Sequence, residues 1–201
     1  MFSGIVEMIG TVSELTIVAG CKQLMIAPAH PLTDLSVGDS IAVNGVCLTV
    51  TECDNTSFKV TAVPETLKLT NLDMLTVNQA VNLEQSLQLG DRVGGHYIQG
   101  HIDSIGEIID ITFDASNAWL VKISVPEHLS KYLIAKGYVA LDGMSITVIN
   151  IFSDHFTITL IPHTQQASIA YQYQIGTKIN IEVDMMGKYI ENFIQKTISL
   201  E

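Results

Sequence analysis

Positive charge is scarce in this chain. Ten lysines and arginines stand against 21 aspartates and glutamates, a formal charge of −11 over 201 residues. A nucleic-acid partner needs a basic face for its phosphates, and this balance excludes one. Cysteine is scarce too. Cys21, Cys47 and Cys53 are odd in number, without C-x-x-C spacing or a His-rich partner motif. They make neither a disulfide framework nor a zinc site, and they fit a reducing cytoplasm. No apolar run approaches the roughly 20 residues of a membrane span. The opening residues carry neither a basic segment nor a small-residue cleavage site, so no secretory signal is expected. The chain is nevertheless 47% hydrophobic, ample for a core, and a small ligand is its expected partner.

The most informative stretch occurs twice. SIAVNGVCLTV at 40–50 returns as YVALDGMSITV at 138–148, 98 residues later. Read by period two, Val46, Leu48 and Val50 share one face, and Gly45, Cys47 and Thr49 the other. Met144, Ile146 and Val148 oppose Gly143, Ser145 and Thr147 in the same way. Each copy thus has an apolar face and a face of small, nucleophile-capable side chains. Further blocks hold the register: FSGIVEMIG at 2–10 with IQGHIDSIG at 98–106, shifted by 96. VPETL at 63–67 matches IPHTQ at 161–165, and VNLE at 81–84 matches INIE at 179–182, both shifted by 98. One domain has been duplicated. The halves diverge at Asn44/Asp142, Cys47/Ser145 and Ser86/Asp184.

Runs separated by turn residues predict strands at 4–15, 23–26, 40–51, 57–63, 80–83, 100–111, 118–125, 138–150, 155–161 and 178–183, a spacing typical of a barrel or sandwich. Helical turns are expected at 28–33, 126–133 and 168–173, and a linker at 85–95. After Asp184, Tyr189, Ile190, Phe193, Ile194 and Ile198 form the stripe of an amphipathic helix. Such a helix either docks on its own barrel or joins copies of itself.

Cys47 alone is most often a small core residue. Its repeat partner Ser145, with Thr49 and Thr147 beside the pair, moves the reading toward a site. Asn44 and Asp142 serve as turn residues before glycine or as members of that site. Asp184 caps the last helix or supplies a carboxylate. His96 and His101, five residues apart and without a third ligand, make no metal site. Gly94 and Gly95 allow a tight backbone path, and Lys136 reads as a solvated turn residue.

Several of these motifs resemble one family. MFSGIV at 1–6, the NGVCLTV and DGMSITV pair, GGHYIQGH at 94–101, Pro64-Glu65-Thr66 and NIEVDMMGKY at 180–189 look like riboflavin synthase, alpha subunit type, from the first residue to about Phe193. The resemblance implies an all-β chain of two tandem Greek-key β-barrels plus a C-terminal α-helix. The division would be 1–95 and 96–186 for the barrels and 187–201 for a helix that holds a homotrimer. It implies the last step of riboflavin biosynthesis. Two molecules of 6,7-dimethyl-8-ribityllumazine dismutate by four-carbon transfer to riboflavin and 5-amino-6-(D-ribitylamino)uracil, with no cofactor and no metal. One substrate would sit on the N-terminal barrel of one subunit and the other on the C-terminal barrel of a neighbour. Lumazine synthase is the implied protein partner.

By the same resemblance, Cys47 acts in the N-terminal site, helped by His101. Ser145 and Asp142 form the polar pair of the C-terminal site, where Asp184 binds ribityl hydroxyls or orients Ser145. The implied substrate contacts are Gly4, Ile5, Val6, Cys47, Leu48, Thr49, Thr61, Ala62, Val63, Pro64, Glu65, Thr66, Gly100, His101 and Ile102. They continue with Lys136, Ser145, Ile146, Thr147, Ile161, Pro162, His163, Thr164, Gln165 and Gln166. Thr61 stands where many members carry Asp, and His163 where they carry Glu. These departures retune ribityl binding and make the C-terminal site sensitive to pH. Fluorescent lumazine proteins share the duplicated fold but typically lose second-half residues. Asp142, Ser145, Thr147 and Asp184 are all present here, which favours an enzyme. No Gly-rich dinucleotide fingerprint follows a strand, against a flavin redox module.

Overall fold

The computed structural model describes residues 1–198. Among them, β1 (Met8–Val18), β2 (Cys21–Pro28), β3 (Ser40–Val43), β4 (Val46–Cys53), β5 (Phe58–Ala62) and β6 (Ala80–Gln85) close into a barrel in the order β1-β2-β5-β4-β3-β6. The next six, β7 (Ser104–Phe113), β8 (Trp119–Ser124), β9 (Tyr138–Leu141), β10 (Met144–Ile151), β11 (His155–Leu160) and β12 (Lys178–Val183), close in the equivalent order β7-β8-β11-β10-β9-β12. Both barrels are antiparallel; in the first, β3, β4 and β5 follow one another while β2 pairs with β5 and β6 with β3, a Greek-key order. Even the bulges repeat. β1 slips between Val12 and Glu14 and β7 between Ile108 and Asp110, while β4 and β10 slip between Val50 and Glu52 and between Val148 and Asn150. Bulges of this kind add the local twist that closes a small barrel.

Alternation explains the two cores. Val46, Leu48 and Val50 point into the first barrel with Leu24, Phe58 and Val60. Met144, Ile146 and Val148 point into the second with Val121, Phe156 and Ile158. The opposite face of each strand, with Cys47 and Thr49 or Ser145 and Thr147, lies on the barrel exterior.

The single strands expected at 40–51 and 138–150 are each two strands joined by a tight hairpin. Asn44 and Gly45 (φ 46° and 76°) and Asp142 and Gly143 (φ 45° and 83°) adopt the left-handed turn that only Asn, Asp and Gly enter readily. Short helices α1 (Pro64–Leu69) and α3 (Pro162–Ala167) start on proline, whose ring pre-sets the first turn. They bury no residue and are too short to show a periodic stripe, so sequence pattern missed them. No helical turn forms at 28–33, whereas 126–133 contains α2 (Glu127–Ser130) and 168–173 a 3-10 turn at Ile169–Gln172. A matching turn spans Asn71–Met74.

The barrels meet on an approximate two-fold axis. Phe2 and Ile98, equivalent in the repeat, pair with each other as an antiparallel bridge and pack with Ala42 and Ala140. From that bridge the segment leading into each barrel first crosses to the other one. The Gly4 carbonyl accepts from Ser145 N at 2.8 Å, and the Gly100 carbonyl accepts from Cys47 N at 2.9 Å. Further along the axis the two hairpin turns touch. A methyl on Gly45 would lie 2.5 Å from Gly143 N, and one on Gly143 2.9 Å from Gly45 N.

C-terminal to β12, α4 (Met185–Ile198) docks on the second barrel by one flank. Glu191 accepts from Lys131 and Tyr132, Lys188 pairs with Asp103 at 2.6 Å, and Gly187 lets Tyr132 approach. Gly45→Ala should therefore cost about 2 kcal/mol or more, because positive φ and a backbone clash act together. Denaturant titration beside Gly38→Ala, where a methyl meets nothing within 4 Å, separates the clash from the turn strain.

Candidate active site

Three elements build each site on the outside of a barrel. In the C-terminal one, β10 presents Ser145 outward, the crossing segment lays Gly4, Ile5 and Val6 beside it, and α3 closes the edge. Together they enclose a cavity of about 160 Å³ lined by Gly4, Ile5, Val6, Ser145, Ile146, His163 and Thr164, among others. Gly4 must be glycine here. At φ 78° its added methyl would strike the Ser145 side chain at 2.5 Å. Gly100 repeats this at φ 78° over Cys47, also at 2.5 Å.

Ser145 has a partner that sequence reasoning passed over. His96 Nδ1 lies 2.6 Å from Ser145 Oγ. The ring is buried and stacked on Tyr138, with centroids 5.2 Å apart and planes 10° apart. Gly95 lets this stretch of chain press against Ser145. Burial holds the His96 pKa below 6.5, while the Asp184 charge opposes that shift. A neutral imidazole with Nδ1 unprotonated can take the serine proton. The signal was available: Gly94-Gly95-His96 lies in the connection just before the second copy begins.

The two histidines go to different sites. His101 is exposed on the segment that crosses Cys47, and its backbone N–H donates to Glu182. Cys47 itself is half-buried beneath Gly100. Ile102 then packs on the first barrel's core, as Val6 packs on the second's.

Asp142 is not beside Ser145. Its carboxylate is buried at the barrel junction, where it accepts from Asn71 Nδ2 at 2.8 Å, Asn180 N at 2.9 Å and Tyr173 Oη at 2.6 Å. It opens onto a separate cavity of about 370 Å³ that Ser145 does not line. The polar pair expected of Asp142 and Ser145 is thus replaced by His96 and Ser145. Asp184 accepts from Met186 N at 3.0 Å, which makes it the cap of α4, and it acts on the site through its charge on His96.

The remaining expected contacts divide by direction. Leu48 and Ala62 point into the core and offer only backbone. Thr49 and Thr147 are exposed on the outer face, and Thr61 and Thr66 are half-buried. Val63, Pro64 and Glu65 open α1, and Ile161, Pro162 and His163 open α3, all on the surface apart from a half-buried Pro162. Gln165 is engaged elsewhere, donating to the carbonyls of Asn117 and Leu160. Gln166 is exposed. Lys136 sits at φ 66° in the turn before β9, tied by its backbone to Val148 and outside the cavity lining.

Two more residues emerge only from the structure. Glu84 accepts from Ser3 N, Ser3 Oγ and Gly4 N at 2.6–3.1 Å, and Glu182 from the N–H groups of Gln99, Gly100 and His101 at 2.8–3.0 Å. Burial raises both, Glu182 to about 7. Their trace in the sequence was the VNLE and INIE pair, which had been used only to set the repeat.

Burial also lifts Asp142 from 3.8 to about 6, against the three donors that favour its charged form. A carboxyl whose folded pKa is raised stabilises the fold fully below its unfolded value and loses that contribution as pH climbs through the folded one. Unfolding free energy should therefore fall by on the order of 3 kcal/mol between pH ~4 and ~7 on account of this group. Denaturant titrations at stepped pH should show the corresponding slope absent in Asp142→Asn.

The comparisons with known proteins agree with this geometry. The family described as "Lumazine binding domain" matches residues 3–86 and again 99–184. Riboflavin synthase of Bacillus subtilis (strain 168) is 42% identical, covering 98% of this chain and 91% of its own. That of Schizosaccharomyces pombe is 40% identical over 99% and 96%. The crystal structure of LumP complexed with 6,7-dimethyl-8-(1'-D-ribityl) lumazine has the same fold, with a TM-score of 0.81, 21% identity and coverage of 92% of this chain and 99% of that one. With two lumazine-binding domains in tandem and full-length relatives at this identity, the chain belongs to the riboflavin synthase family.

Proposed function

We propose that this protein makes riboflavin by dismutation of 6,7-dimethyl-8-ribityllumazine. Two molecules react, one giving a four-carbon unit to the other, and riboflavin and 5-amino-6-(D-ribitylamino)uracil leave. The observation that carries this reading is a pair of equivalent outward-facing sites, one built on Cys47 and the other on Ser145. A reaction between two copies of one compound needs two like sites that differ in chemistry. The required steps are loss of an acidic methyl proton, addition of a nucleophile to an electrophilic ring carbon, and proton shuffling as the adduct breaks.

In the C-terminal site, neutral His96 accepts the Ser145 hydroxyl proton as that oxygen, or a water it orients, adds to the ring. It returns the proton when the adduct collapses. In the N-terminal site Cys47 is the nucleophile-capable group and His101 the proton carrier beside it. The apolar lining from Ile5, Val6 and Ile146 suits a flat ring, and the polar ends of α1 and α3 suit the ribityl chain. Much of the rate enhancement comes from holding two rings in reacting geometry.

Each site opens on the barrel exterior, where a ring held by a neighbouring protomer can meet it. We assign this role to a homotrimer held by α4. Tyr189, Ile190, Phe193 and Ile194 on that helix are 52–67% exposed beyond the flank that docks on its own barrel. A row of this kind is the surface a helix buries against copies of itself. The three free thiols suit the cytoplasm, where lumazine synthase would be the partner supplying substrate.

Incubation of the purified protein with 6,7-dimethyl-8-ribityllumazine alone should yield one mole of riboflavin per two consumed. Tight binding without turnover would make the protein a carrier instead. Ser145→Ala and His96→Gln should each lower kcat by roughly 10²-fold, the usual range for a proton-transfer group. Equal kcat in wild type and His96→Gln would remove His96 from the mechanism. Phe193→Asp should shift sedimentation from trimer toward monomer and reduce activity with it; a monomeric wild type, or an unchanged trimer in the variant, would count against α4 as the joint.

A further inference from the structure

Glu182 performs a task that none of the reacting groups performs. Buried on β12, it receives three successive backbone N–H groups of the crossing segment, from Gln99, Gly100 and His101 at 2.8, 2.9 and 3.0 Å. On the far side the Gly100 carbonyl accepts from Cys47 N. The segment is therefore pinned between a carboxylate of the second barrel and the reactive strand of the first. Gly100, at φ 78° with no room for a methyl, cannot hold its place by packing a side chain.

The clamp also touches the helix. Asp103, two residues beyond His101, accepts from Val183 N at 3.0 Å and pairs with Lys188 of α4 at 2.6 Å. Lys188 is in turn the cation that acts on Glu182. The first barrel has the same clamp without this attachment. Glu84 holds Ser3 and Gly4, its charged neighbour is Glu7, and the repeat position of Lys188 is Gly90.

We propose that Glu182 is a positioning residue for the N-terminal site, fixing the Gly100–His101 backbone against Cys47, and that Lys188 couples this clamp to the C-terminal helix. The proposal rests on the riboflavin synthase reading for its kinetic consequences but not for its structural ones. The ionised carboxylate is the stronger acceptor of the three N–H groups, since protonation makes one oxygen a donor and weakens its hold. Burial raises Glu182 to about 7, Asp103 adds to the rise, and Lys188 and the N–H groups oppose it. The segment should thus be held above about pH 7 and released below it, with Asp103 and Lys188 the charged groups facing the switch.

The test uses the full chain. In Glu182→Gln, the amide replaces one acceptor oxygen with a donor. Backbone hydrogen exchange at Gln99, Gly100 and His101 should quicken by about tenfold or more, while Ser3 and Gly4, held by Glu84, keep their rates. In wild type, kcat should lose its acid limb as pH rises through about 7. Glu182→Gln should lack that limb and turn over about tenfold more slowly at pH 8, with KM changed less. Lys188→Met should move the limb to higher pH, because the cation favouring the carboxylate is gone. Unchanged exchange at residues 99–101 in Glu182→Gln would overturn the clamp. A limb that stays in place in Lys188→Met would overturn the coupling, including when Glu182→Gln fails to fold. Should wild type form no riboflavin, the functional reading falls, and the exchange data still decide the clamp.

Discussion

Everything in this molecule hangs on the way two hairpin turns meet back to back. Asn44-Gly45 and Asp142-Gly143 approach so closely that neither glycine could carry a methyl. Around them runs a closed set of carboxamide bonds. Asn82 N donates to Asn44 Oδ1, and Asn180 N to Asp142 Oδ1. Asn82 Nδ2 reaches the Asp142 carbonyl and Asn180 Nδ2 the Asn44 carbonyl, both across the axis. Asn82 Oδ1 takes Ile169 N, and Asn180 Oδ1 takes Asn71 N. Buried polar groups are tolerated only when their bonds are made, and here they are made both within each barrel and between the two. That fixes the relative placement of the barrels, which fixes the crossing segments, and those build the sites.

Against this frame the chemical difference between the halves is small and local. Cys47 and Ser145 occupy equivalent strand positions under equivalent glycines. The second site has a buried imidazole bonded to its hydroxyl, His96, which lies in the connection between the barrels. The asymmetry of the two sites is therefore supplied mostly by the link between the barrels and not by the barrels themselves. The Asn44-to-Asp142 difference, which the sequence assigns to that asymmetry, is absorbed at the junction. Asn71 and Tyr173 complement the carboxylate, and the repeat partners of those residues are Ile169 and Leu75.

Much of this was legible in the sequence, for definite reasons. Period-two alternation placed Val46, Leu48 and Val50 inward and Cys47 and Thr49 outward, and a register of 98 residues from position 40 onward announced two like barrels. The hairpin break at Asn44-Gly45 was harder to see, since strong β-formers on both sides blur one strand into two. Glu84, Glu182 and His96 were invisible as functional groups because their partners are 49 to 83 residues away. Their meaning depends on the crossing of 2–6 and 98–102 between barrels, and a linear pattern carries no sign of an exchange. Asp142 misled because an Asp-Gly turn looks the same whether its carboxylate faces solvent, substrate or another domain.

The contact between Gly45 and Gly143 also constrains how a duplicated chain can drift. Away from the axis, each half faces solvent or its own core, and either copy can change without the other noticing. On the axis a residue meets its own twin. A change there acts on a contact that the other copy shares, so its effect is not additive with changes in that copy. Asp142 displays the outcome. It differs from Asn44, and its donors Asn71 and Tyr173 differ from their own repeat counterparts, while the glycines beside it are a matched pair. Duplicate halves joined in this way diverge freely at the rim and only in sets at the centre.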